Sequence, residues 1–94
     1  MKVIQQRKIE DCLDGSFIRE FEFDQEISRE FIDKLGQGHA LEYFPKFPRP
    51  FFRIEKKNEY QIKGVLSNVT IKVIFYRHCS TRDVEKLIQL INNC

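Results

Sequence analysis

The chain predicts an α+β fold: a two-layer sandwich in which a mixed, mainly antiparallel sheet of about five or six strands carries two helices packed on one face. Three observations lead there. Ile27, Phe31, Ile32 and Leu35, and again Val84, Leu87, Ile88 and Ile91, fall on single helical stripes. Helices that are apolar on one side only need an apolar layer to cover. Between and around them lie short segments whose apolar residues alternate with the period of a strand, as half-buried sheet requires. Turn residues separate these segments and are scarce within them.

The elements follow in order. Lys2 to Asp11 alternates weakly and reads as a strand, closed by the turn pair Asp14-Gly15. Ser16 to Phe23 is a second strand, with Phe17, Phe21 and Phe23 on one face and Ile18, Glu20 and Glu22 on the other. Asp24 is placed to cap the first helix, Glu26 to favour its positive end, and Gly36 to close it in a left-handed conformation. This helix is expected to be a right-handed crossover between parallel neighbours. His39 to Phe44, Phe51 to Lys57, Tyr60 to Leu66 and Val69 to Arg77 read as further strands, joined by turns at Asn58-Glu59 and Ser67-Asn68. The last of them has apolar residues on both faces and is expected to be central. Ser80 or Thr81 caps the second helix, supported by Asp83.

At 94 residues the chain is one small domain, 1–94, with a modest core. Its apolar and charged fractions, 41% and 32%, are those of a globular protein rather than a disordered one. Apolar runs are too short to span a bilayer, and the first residues lack the apolar block of a secretory signal. The expected setting is cytoplasmic, without membrane contact. Cys12, Cys79 and Cys94 are an odd set with no close spacing, which fits free thiols better than a disulfide framework. Charge is uneven along the chain: residues 1–43 carry net −4, residues 44–78 net +6. A basic face for a partner, or two mutually attracting halves of one domain, would both produce that pattern.

One stretch stands apart. Residues 43–53 read Tyr-Phe-Pro-Lys-Phe-Pro-Arg-Pro-Phe-Phe-Arg and hold all three prolines and four of the nine phenylalanines. Proline fixes φ and removes a donor, so the segment is expected to be a stiff, extended connection rather than helix or central strand. Lys46, Phe47, Arg49, Phe51 and Arg53 are the candidate binding residues. Aromatic faces and guanidinium groups together suit an interface hot spot, and equally suit unpaired bases with their phosphates. The competing expectation is that most of these rings cap the core, as phenylalanine usually does. Alternation leaves open which of Phe51 and Phe52 faces outward, since a one-residue slip exchanges them.

Other constellations weigh less. His78-Cys79 precedes the second helix, where a dipole and an imidazolium would favour a thiolate, yet no orienting group or oxyanion site is visible. Cys12, His39, His78 and Cys79 have no zinc-site spacing, so neither metal nor cofactor is expected. The carboxylates look like solvated faces, and there is no phosphate loop or nucleophile elbow. The expected function is a small non-catalytic binding domain that contacts a protein partner or a second copy through residues 43–53. The alternative is single-stranded nucleic acid, bound by the same segment plus a basic strand face over 56–72 with Lys56, Lys57, Lys63 and Lys72. In that alternative Lys63 and Lys72 lie on adjacent strands and extend the positive patch.

Overall fold

A computed structural model describes residues 1–93. The strands are β1 (Val3–Asp11), β2 (Phe17–Phe23), β3 (Ala40–Phe44), β4 (Phe51–Lys56), β5 (Tyr60–Val65) and β6 (Thr70–Phe75). Helix α1 (Arg29–Gly36) lies between β2 and β3, and α2 (Thr81–Asn92) follows β6. The six strands form one open sheet in the order β1-β2-β6-β5-β4-β3, and all five pairings are antiparallel. The architecture is the expected α+β sandwich. Strands β2 and β3 do run in the same direction, but β6, β5 and β4 lie between them. The connection through α1 therefore crosses the sheet and joins no parallel neighbours.

Strand alternation sorts the side chains into two faces. Phe21 and Phe23 of β2, Phe52 and Ile54 of β4, Tyr60 and Ile62 of β5, and Ile71, Val73 and Phe75 of β6 turn to one side. They join Phe31, Ile32 and Leu35 of α1 and Val84, Leu87 and Ile91 of α2 in one contiguous core. Both apolar helical stripes are used up against this single face, which leaves the other face of the sheet uncovered. Phe17 stacks on Phe75 with ring centroids 5.1 Å apart, and Phe23 meets Phe31 edge-on at 5.6 Å. Central placement of β6 agrees with its apolar character on both faces.

Helix α1 starts later than Asp24. The Asp24 carboxylate instead accepts the Lys2 N–H at 3.0 Å, while the Asp24 N–H donates to the Lys2 carbonyl. Buried Ile27 is clipped to the β5–β6 turn: its N–H donates to the Asn68 carbonyl and its carbonyl accepts from Ser67 N–H. Only Ser28 is then free to cap, and its Oγ accepts from Phe31 N–H at 3.1 Å. Gly36 is helical rather than left-handed; a Cβ there would stand 3.1 Å from the Leu41 side chain, and Gly38, with φ of +79°, makes the turn. At α2 the Asp83 carboxylate accepts the Ser80 N–H at 2.8 Å, the reciprocal bond of a capped helix start.

Both sheet edges are blunted. Along β1 the register slips at Ile4 and Ile9, leaving two exposed bulge residues unpaired. Bulges of this kind bend an edge away from further pairing. The other edge, β3, is five residues long and runs straight into Pro45.

Candidate functional site

The proline segment is a hairpin rather than a continuous extended run. Phe44 pairs with Phe51 at its base, and residues 45–49 make turns and bends between them. The three prolines sit in the loop, where no ladder bond is needed. The Pro50 carbonyl accepts the Leu66 N–H at 2.8 Å and ties the loop to the end of β5.

The register settles the aromatic side chains. Phe52 is fully buried in the core beneath the sheet, so Phe51 turns to the uncovered face. There it stacks on Phe44 at a centroid distance of 4.5 Å. Phe47 folds back over the pair, 5.0 Å from Phe51 and 6.3 Å from Phe44, yet remains 52% exposed. The expectation of buried rings thus holds for Phe52, and the expectation of a displayed ring for Phe47. Lys46 and Arg49 are exposed loop residues. Arg53 is half-buried and committed: its Nη2 lies 2.6 Å from the Glu42 carboxylate and its Nε 3.1 Å from it.

One row of partners crosses the uncovered face from edge to edge: Arg7, Glu20, Lys72, Lys63, Arg53 and Glu42. Its ends are neutralised. Arg7 reaches Glu20 at 3.2 Å and Glu22 at 2.8 Å, and Arg53 holds Glu42. In the middle, Lys63 and Lys72 stand directly opposite each other on β5 and β6. Among the described residues, neither they nor Lys46 and Arg49 make an ion pair. Like charges directly opposed across strands destabilise a sheet by roughly 0.2–1 kcal/mol.

Beside this pair lies a groove of about 470 Å³. Phe47, Pro48 and Phe51 form its apolar side, Val65 and Thr70 part of its floor, and Arg49, Lys63 and Lys72 its charged side. No carboxylate lines it. Gly64, in the floor, permits the arrangement from below: a Cβ there would stand 2.7 Å from the Phe52 ring. The adjacency of Lys63 and Lys72 was legible from alternation around Ile62 and Ile71. The Arg7 cluster, the Glu42 partner of Arg53 and the role of Gly64 carried no signal in the sequence.

The proposed basic face over 56–72 splits in two. Lys56 shares the parity of Phe52 and Ile54 and turns to the helix-covered side, where it pairs with Glu59 at 2.8 Å. Lys57 sits in the turn at the far end of β4 from Phe47. Only Lys63 and Lys72 of that group join the groove.

The Cys79 thiol donates to the Glu59 carbonyl at 3.2 Å. Partial burial raises its pKa, and Asp83 adds to that rise. Among the described residues no group of three or more His, Cys, Asp or Glu could hold a metal ion, and no helix is long and apolar enough to cross a membrane. Cys94 lies outside the described residues. No family model, curated protein or solved structure matches the chain.

Proposed function

We propose that this protein is a non-catalytic binding domain whose contact surface is the uncovered sheet face beside the 45–50 loop, and that its partner is an anionic macromolecule. The observation that carries this reading is the Lys63–Lys72 pair: two directly opposed cations that make no ion pair among the described residues, Glu20 beyond Lys72 being taken by Arg7, next to an exposed aromatic ring. A partner that supplied negative charge between them would relieve their repulsion and gain apolar contact with Phe47 in one step. Arg49 extends the cationic side, and Lys46 adds long-range attraction. Arg53, already neutralised by Glu42, stiffens the floor instead of meeting the partner.

Amide chemical-shift titration tests this with three probes: polyglutamate, polyphosphate and a single-stranded oligonucleotide. Saturable shifts concentrated on residues 47–53 and 63–72 are expected with at least one of them. Shifts confined to α1 and α2, or none with any probe, would refute it.

A second reading keeps the partner apolar: another protein, or a second copy, seated on Phe47, Pro48 and Phe51. The exposure of Phe47 supports it, since a large ring left in water is the usual mark of an interface anchor. It predicts association that is indifferent to salt and lost in Phe47→Asp, measured by sedimentation equilibrium across a concentration series.

A further inference from the structure

Resting on the anionic-partner reading above, we infer that the partner is single-stranded nucleic acid, with a base stacked on Phe47 and the backbone laid across Arg49, Lys63 and Lys72. The groove's charged side presents three cations and no acid, so the occupant has to carry negative charge repeated along its length. Its other side is the Phe47 ring, which meets Phe51 at a tilt and Phe44 edge-on and leaves about half of its surface open. A ring in that state gains most from a second flat, polarisable group laid against it. An occupant with anionic groups and planar faces in alternation is a polynucleotide.

The shape of the surface decides between its forms. The face belongs to an antiparallel sheet, whose strands stand about 4.8 Å apart, and both helices pack on the opposite face, so no helix is placed to enter a duplex groove. In a duplex the base faces are occupied by their neighbours and unavailable to Phe47; in a single strand they are free. An acidic polypeptide would satisfy the lysines and leave the ring unmatched. A lone phosphate, too, would meet the cations and leave the ring unmatched. Arg7 with its two glutamates at one end of the row is net negative, and Arg53 with Glu42 at the other is neutral. They confine the cationic track to the middle strands, room for about two or three nucleotides on a sheet platform.

Fluorescence anisotropy tests the assignment with end-labelled probes of ~12 units: oligothymidylate, the same length as duplex DNA, and polyglutamate. The single strand is expected to bind at least about ten-fold tighter than the other two. With three cations engaged, its affinity should fall roughly 20-fold between about 50 and 200 mM salt, and only about 3-fold in the Lys63→Gln, Lys72→Gln double variant. Phe47→Leu, which keeps an apolar group at this exposed site, should weaken binding about ten-fold, and Phe47→Trp should restore it. Equal binding of all three probes, or a single strand indifferent to Phe47→Leu, would overturn the nucleic-acid assignment and leave the anionic-partner reading standing. Preference for polyglutamate would transfer the face to an acidic protein. Failure of every probe would overturn both proposals.

Discussion

The two faces of the sheet are built from the same strands and obey opposite rules. On the covered face Phe21, Phe52, Ile54, Ile62, Val73 and Phe75 have essentially no exposed surface. Every helix stripe closes on them. On the uncovered face alternate residues of the same strands make a charged row, and its central pair repels. A covered face is selected by volume, because each methylene has a fixed neighbour. An uncovered face tolerates repulsion, since water screens it at little cost to the fold. On the reading proposed above, the residues that look least favourable for stability mark the face a partner would cover.

The comparison breaks most sharply at adjacent phenylalanines. Phe52→Ala should cost about 3–5 kcal/mol, because it empties a closed site. Phe51→Ala, one residue away on the open face, should cost only about 1 kcal/mol, the scale of a lost aromatic pair. Urea unfolding of the two variants measures the difference, and comparable losses would mean that the open face is covered in solution. Gly64→Ala tests the boundary between faces. Its Cβ would press on the Phe52 ring from within the sheet, so destabilisation of about 1–3 kcal/mol is expected, with the groove-lining amides shifting in the NMR spectrum.

A smaller effect sharpens the same contrast from the other side. Lys63→Glu replaces the repulsive pair with an attractive one, since its cross-strand neighbours are Lys72 on one side and Arg53 on the other, and should stabilise the protein by roughly 0.2–1 kcal/mol at low salt. The same change should abolish polyanion binding. A variant that folds better and binds worse separates the two roles of this face; destabilisation by Lys63→Glu would show that the lysines serve the fold.

The last effect, offered as a direction only, concerns acid. Hydrogen bonds to their carboxylates hold Asp11, Asp14 and Asp83 below the usual range, donated by Lys8, by Ser16 and by the Ser80 backbone respectively. A depressed folded-state pKa adds stability that is complete above the unfolded value of about 4 and is lost as pH falls through the folded one. Thermal midpoints should therefore be level from neutral pH down to about 4 and fall below it. Asp83→Asn should make that acid limb shallower. An unchanged limb would place the acid-sensitive groups elsewhere.

Much of this was readable from local pattern. The alternation of Ile71, Val73 and Phe75 and the stripe of Val84, Leu87 and Ile91 are statements about a single element, and a single element's period survives any tertiary context. Local pattern fails where two distant segments compete for one group. Asp24 has the chemistry of a cap, yet its carboxylate is claimed by Lys2, twenty-two residues back, and the cap passes to Ser28. Lys56 belongs by composition with Lys63 and Lys72, but its position in β4 turns it to the other side.

By itself the chain determined that strands and one-sided helices would form, that they would share one apolar layer, and that aromatic, proline and cationic residues would converge at a corner. Each follows from torsional preference and from the period with which apolar side chains recur. Only tertiary pairing decided that Phe52 enters the core and Phe51 leaves it, that Arg53 is spent on Glu42, and that Lys63 and Lys72 meet side by side. Those outcomes depend on the register between strands far apart in sequence, and a shift of one residue in that register would have exchanged every one of them.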